Sequence, residues 1–266
     1  MFRVKDREKC LHLYQKYYSG RKFHDALYRD RIKTYLQPGQ RLLDAGCGRY
    51  MKFCKEFSDV AEVVGIDLES TLETDNQRTP FGIRGDLGRL PFGSDHFDMV
   101  ISRSVVEHLE DPPQVFREFC RVLRPGGKVV IITPNKYDYV SLIAAATPYR
   151  LHRALVSKIF QIPADDVFPT LYRANTLSAM DRALESAGFE KREIGTINHY
   201  PAYLMFSPTL FRVGVWYEKL TSLKMFKSLR GSILCVYEKR QSKTDLDGCA
   251  KVTKQSGALN DAPIQV

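Results

Sequence analysis

The stretch Leu42-Leu43-Asp44-Ala45-Gly46-Cys47-Gly48 decides the reading of this chain. A short apolar run carries one carboxylate and then breaks into two glycines. An apolar run bounded by turn residues reads as a buried strand. Glycine lets backbone approach a ligand where a side chain would collide. In open α/β sheets, nucleotide-type ligands bind at this carboxyl end of a strand.

Working outward, the same pattern recurs. Glu62–Asp67, Phe81–Arg84, Phe97–Ser102 and Lys128–Thr133 read as four further strands. Helical patterns lie between several of them, most clearly Pro113 to Leu123, stopped by Arg124-Pro125-Gly126-Gly127. Strand–helix alternation with nearly continuous apolar strands implies a parallel sheet covered on both faces. Upstream, Arg3 to Leu36 reads as two helices broken at Ser19-Gly20. Downstream, residues 135–175 form a long apolar and basic insertion. Asn175-Thr176 starts a helix that Gly188 ends, and strands are expected near Lys191–Ile197 and Ser232–Glu238. The expected organisation is an N-terminal helical cap at 1–36, a main domain at 37–240 with insertions at about 136–175 and 198–230, and a polar tail at 241–266.

The 266 residues are 44% hydrophobic and 27% charged, which suits a globular chain and excludes a fibrous or disordered one. The net charge of +9 is uneven: residues 1–36 carry +6, residues 37–140 carry −3, and residues 141–233 carry +5. No zinc-finger spacing or basic heptad accompanies it, so no nucleic acid is expected as a partner. Six cysteines without C-x-x-C spacing, and no apolar signal core near Met1, point to reduced thiols and a cytoplasmic location. The longest uncharged stretch, Ile194 to Phe211, contains Gly195, Pro201 and Pro208 and makes a poor membrane span.

Three features narrow the ligand of the glycine turn. A dinucleotide fingerprint needs glycine at position 51, where the chain has Met51, and no G-K-[ST] follows. Asp44 would repel a pyrophosphate and favour an ammonium group. Asp67, closing the next strand, can accept hydrogen bonds from both hydroxyls of a ribose. Taken singly, Asp44 could satisfy turn amides and Asp67 could cap a helix. Their order with Gly46, Gly48 and Asp86 favours one ligand carrying a ribose and an amino group, and S-adenosylmethionine fits that description.

The run Leu42–Gly48 resembles the first motif of class I S-adenosylmethionine-dependent methyltransferases. Gly85–Phe92, Phe97–Ser102, Val105–Pro112 and Arg121–Gly127 resemble the later motifs in the family's order. The resemblance covers residues 25–135 well and 175–240 loosely. It implies an α/β fold: a doubly wound, mostly parallel seven-stranded Rossmann-like sheet with one antiparallel strand near its edge, N-terminal helices, and helical insertions after strands 5 and 6. It further implies that Asp44, Gly46 and Gly48 line the methionine end, and that Asp67 holds the ribose with Leu68 beside it. Asp86 would accept from the adenine amino group, and the Leu87 backbone would lie along the ring. Ser102 and Arg103 would meet the amino acid part. Tyr50 stands where many relatives have a third glycine, so its ring is expected to cover the donor or narrow its entry.

Methyl transfer is an in-line displacement that needs alignment, exclusion of water and, for a protonated nucleophile, a base. No metal is expected. Glu107-His108 is similar to the metal ligands of some relatives, but Ser104 stands where those have a carboxylate. His108 is the first candidate base, since it follows the fourth strand and imidazole titrates near neutrality; a packing or capping role is the alternative. His199, Tyr200 and Tyr137 are further candidates, and Cys47 reads as small filler.

The acceptor should be bound outside the common core. In the second insertion, Leu210, Val213, Tyr217, Leu220, Leu223, Phe226 and Leu229 recur at helical spacing, punctuated by Arg212, Lys219, Lys224, Lys227 and Arg230. Such a helix either buries its apolar face against the sheet or lies on an anionic membrane. The expectation is a small, lipophilic or lipid-linked acceptor met at the membrane surface. The alternatives are a non-catalytic donor-binding partner protein and a macromolecular acceptor. A nicotinamide oxidoreductase is disfavoured by Met51 and Asp44.

Overall fold

The computed structural model describes residues 4–68, 81–148, 153, 157 and 168–241. The expected tail beyond residue 241 and much of the first insertion lie outside them. One seven-stranded sheet runs in the order β3-β2-β1-β4-β5-β7-β6, as the resemblance implies. At its centre, β1 (Arg41–Ala45) pairs in parallel with β2 (Glu62–Asp67) and β4 (Phe97–Arg103). Outside β2 lies β3 (Phe81–Arg84), and outside β4 lies β5 (Leu123–Pro134), both parallel. The strand β7 (Ser232–Lys239) runs antiparallel between β5 and β6 (Phe189–Ile197). Strand order reverses between β1 and β4, which opens a crevice at their carboxyl ends.

Alternation along the strands splits the core into two layers. Leu43, Ala45, Val100, Val129 and Ile131 face α4 (Pro112–Val122) and α6 (Leu177–Ser186). Leu42, Met99, Ile101, Val130 and Ile132 face α2 (His24–Tyr35) and α3 (Lys52–Phe57). Burial on both faces explains why these strands read as continuous apolar runs. In α4 the Asp111 carboxylate caps the helix by accepting from the Gln114 amide at 3.0 Å, and two prolines occupy its first turn. Val115, Phe116, Phe119 and Val122 then form one buried stripe. Full burial of each phenylalanine contributes roughly 1.5–3 kcal/mol of transfer free energy. The segment expected only to stop this helix is part of β5, whose pairing shifts from Phe97↔Leu123 to Met99↔Lys128 around Arg124–Gly127.

The second insertion departs from its sequence pattern. In place of one helix to Arg230, α7 (Pro208–Ser222) ends, and a 3-10 turn follows at Lys224–Leu229. Arg230 donates to the carbonyls of Thr221 and Ser222, both at 2.9 Å, and so satisfies the helix end. The buried face of α7 is Phe211, Gly214, Val215, Glu218 and Thr221. It packs on Cys10, Leu13 and Tyr18 of α1 (Val4–Tyr18) rather than on the sheet. Arg21 neutralises the buried Glu218 at 2.7 Å, which lets a carboxylate occupy the inner face. The stripe read from the sequence is therefore split: Leu210, Val213 and Leu223 are exposed, with Trp216 beside them 65% exposed, while Tyr217, Leu220, Phe226 and Leu229 are half-buried.

Candidate functional site

The glycine turn sits at the strand-order reversal. Gly46 donates to Ile66 O at 2.8 Å with φ +82°, and an added Cβ there would meet Val105 Cγ2 at 2.2 Å. Gly48 has φ +64°, and its amide donates to Asp67 Oδ2 at 2.8 Å. A Cβ on Gly48 would meet nothing within 4 Å. Met51, where a dinucleotide fingerprint would place glycine, is itself left-handed at φ 47°, held there by a fully buried side chain. Tyr50 beside it is exposed.

Asp44 lies beneath the turn, buried, and accepts from Cys54 Sγ at 3.3 Å. Burial pushes its carboxyl up to about 7, against the lowering effect of the Cys54 hydrogen bond, with Asp67 adding to the rise. Asp67 stands at the tip of β2 and Leu68 is exposed just past it. Asp86 is exposed two residues beyond β3, its Oδ1 accepting from the Gly88 amide at 2.8 Å. The Leu87 side chain is buried in the core. On the other side of the turn, Ser102 is buried and its Oγ has no hydrogen-bond partner. Arg103 is tied to Asp25 of α2 by Nε at 2.9 Å and Nη2 at 3.3 Å. Burial pushes the Asp25 carboxyl up, and the Arg103 guanidinium, with His24 and Lys52, more than reverses that and holds it below its ordinary value. The tether on Arg103 had no signal in the sequence, because Asp25 lies 78 residues away.

The carboxyl edge of the sheet thus aligns Asp86, Asp67, the glycine turn and Ser102 in strand order. Open space at Gly48, a ribose-binding type of carboxylate beside it and an unsatisfied buried hydroxyl at Ser102 suit an adenosyl donor that brings hydroxyls, an amine and a carboxylate.

His108 lies on a 3-10 turn after β4, partly exposed, with Nδ1 2.7 Å from Pro169 O. A carbonyl only accepts, so Nδ1 carries the proton, and Nε2 lies 3.9 Å from Glu107 Oε1. Glu107 is buried: its Oε2 accepts from Thr133 Oγ1 at 2.8 Å, and that oxygen in turn accepts from Asn175 Nδ2 at 2.7 Å. Burial raises the Glu107 carboxyl, opposed by His108. Asp138, which caps α5 (Tyr139–Ala146), is also buried. Asn175 read in the sequence only as a helix start and Glu107 only as the neighbour of His108, and Asp138 carried no reading there. Among the described residues no group of three or more His, Cys, Asp or Glu is arranged to hold a metal ion.

Fold and turn together define a Rossmann-type α/β protein with a carboxylate-lined crevice at the carboxyl edge of its sheet. The model of the methyltransferase-domain family matches residues 43–131, which hold the turn, Asp67, Asp86 and Ser102. A probable S-adenosylmethionine-dependent methyltransferase of Mycolicibacterium smegmatis is 39% identical over 105 residues, covering 38% of this chain and 40% of that protein. Phosphoethanolamine N-methyltransferase 3 of Arabidopsis thaliana is 36% identical over 108 residues, covering 36% of this chain and 21% of that protein. The matched stretch therefore spans well under half the length of these curated relatives. The solved S-adenosylmethionine-dependent methyltransferase of Mesorhizobium loti superimposes with a TM-score of 0.54 at 19% identity, over 79% of this chain and 96% of that one. Residues 43–131 thus match a methyltransferase domain, and the fold is one shared with S-adenosylmethionine-dependent methyltransferases.

Proposed function

We propose that this chain transfers a methyl group from S-adenosylmethionine to a small lipophilic acceptor met at an anionic membrane surface. The observation that carries the donor half is the row of Asp44, Asp67 and Asp86 at the ends of successive strands around the Gly46–Gly48 turn. When bound, the donor supplies a methyl group on a cationic sulfur, activated for in-line displacement. Asp67 accepts from the ribose hydroxyls while its Oδ2 keeps the turn closed through the Gly48 amide. Ser102 Oγ and the tethered Arg103 meet the amino acid part, and Asp86 accepts from the adenine amine. Fixing donor and acceptor in line can contribute on the order of 7–11 kcal/mol. His108, with Nδ1–H held by Pro169 O, offers Nε2 as a base.

The acceptor half is supported by the outward face of the second insertion. Exposed Leu210, Val213, Trp216, Leu223 and Met225 stand among exposed Arg212, Lys219, Lys224 and Lys227. Apolar side chains among lysines are the chemistry that settles into an anionic interface. Among the described residues no helix is long and apolar enough to cross a membrane, so this reading is of peripheral contact at a cytoplasmic face. Calorimetry with S-adenosylhomocysteine tests the donor half, and no heat of binding would reject it. Methyl transfer into a lipid extract rather than an aqueous one, and co-flotation with anionic liposomes at low salt, test the acceptor half. Transfer confined to the aqueous extract, or failure to float, would reject that half alone.

A further inference from the structure

A second polar group lies just past the carboxyl ends of β5 and β6. Asp138 is 2% exposed. Its Oδ2 accepts from the Val140 amide at 3.1 Å, the Tyr139 amide also favours the charged carboxylate, and its Oδ1 is buried with no partner in hydrogen-bond geometry. His199 follows β6 and places Nε2 3.9 Å from Asp138 Oδ2. The histidine ring is seated against Gly231, where an added Cβ would meet Nδ1 at 1.7 Å. Tyr139 stands edge-on to Tyr217 of α7, with centroids 5.0 Å apart, and 6.4 Å from the His199 ring. Tyr203, on the 3-10 turn Ala202–Leu204, is in electrostatic reach of Asp138, Glu107 and Tyr172. His199, Tyr139, Tyr203 and Tyr217 each keep part of their surface exposed.

A buried carboxylate oxygen without a donor is costly to the fold. Among the described residues, these facing groups are neutral or acidic at neutral pH. Burial pushes His199 down to about 4, helped by His24 behind it, so it brings no positive charge. The tyrosines of α5, α7 and the 3-10 turn are raised above their ordinary value. Among the described residues no lysine or arginine pairs with Asp138, and burial pushes its carboxyl up to about 7. A hydroxyl ligand would satisfy the lone oxygen but not the charge. An ammonium satisfies both, and ring faces attract it further.

We infer that this cluster is the acceptor subsite, and that Asp138 Oδ1 anchors a protonated amine and, as the alternative to His108, takes its proton before transfer. The inference rests on the methyl-transfer reading above. The ammonium gives one proton to Asp138 Oδ1, which frees the nitrogen lone pair. That pair forms the bond to the methyl carbon as the carbon–sulfur bond breaks, with its electrons kept by sulfur. The positive charge passes from sulfur to the methylated nitrogen, and Asp138 releases its proton to solvent as the product leaves.

Calorimetry on protein saturated with S-adenosylhomocysteine tests this, using 2-phenylethylamine and n-hexylamine, each against the alcohol of the same skeleton. At least one amine should bind about tenfold or more tighter than its alcohol, since the charge pair is desolvated. At pH 6, where Asp138 holds its proton, amine binding should release about one proton, read by comparing buffers of different ionisation heat; at pH 8.5 it should release almost none. Asp138→Asn and Asp138→Ser both retain a helix-capping oxygen. Both should lose the amine preference and the proton release while binding S-adenosylhomocysteine as tightly as before. No amine preference, proton release that persists in both variants, or donor-product affinity that falls with the amine's would overturn the inference. Failure of wild-type protein to bind S-adenosylhomocysteine would instead overturn the donor reading beneath it.

Discussion

Alanine at Gly46 meets two obstacles that the structure separates. The backbone there is left-handed at φ +82°, and the new Cβ would stand 2.2 Å from Val105 Cγ2. A left-handed conformation costs an L-residue roughly 1–2 kcal/mol. Forcing a methyl into a filled site costs roughly 1–3 kcal/mol more. Gly46→Ala should therefore lose about 2–5 kcal/mol in urea denaturation, a large share of a typical domain's stability. Gly48→Ala has the same backbone hand at φ +64° but nothing within 4 Å of its Cβ, so it should lose only about 1–2 kcal/mol. Its methyl would occupy the open space beside the amide that holds Asp67, so its S-adenosylhomocysteine affinity should fall about tenfold or more, or roughly 1.4 kcal/mol. A cycle of Gly46→Ala with Val105→Ala should show about 1–3 kcal/mol of coupling, because removing the valine methyls relieves the steric part alone. Equal stability losses at the two glycines, with no coupling to Val105, would refute the close seat of the turn on that side chain.

Asp44, pushed up from 3.8 to about 7, keeps in the folded state a proton that the unfolded chain has already lost. Its contribution is complete below pH 4 and disappears as pH rises through 7. Asp44→Asn should therefore gain on wild type by on the order of 2 kcal/mol between pH 5 and pH 8 in denaturant titrations. His199 has the opposite sign: lowered from 6.5 to about 4, it supports the fold above pH 6.5 and loses that support as pH falls toward 4. His199→Gln should compare better with wild type at pH 5 than at pH 8 by thermal unfolding. Asp25→Asn should lose about 1 kcal/mol at pH 7, discounted for the partial exposure of its pair with Arg103. That loss should shrink in melts as pH falls through the depressed carboxyl value, where wild type forfeits the same pairing. His108→Ala should slow turnover with little change in donor-product affinity, and unchanged turnover would remove His108 as the base.

The sequence by itself determined the strand run from Arg41 to Thr133, the glycine turn and the residues proposed to grip the donor. Those features are local: a strand's burial shows in its apolar run, and a turn shows in its glycines. The pattern in residues 209–230 misled because hydrophobicity was its only guide. It could not foresee that Arg21 would neutralise Glu218 and allow that face inward, leaving Leu210, Val213 and Trp216 outside. Nor could it see that Met51 takes a left-handed conformation without glycine, since the packing that holds it comes from other elements. Tertiary structure alone brought Asp25 to Arg103, Thr133 to Glu107, Asn175 to Thr133, and His199 to Asp138. Each of these pairings joins residues far apart in the chain, and what a buried polar group can do depends on partners that only folding supplies.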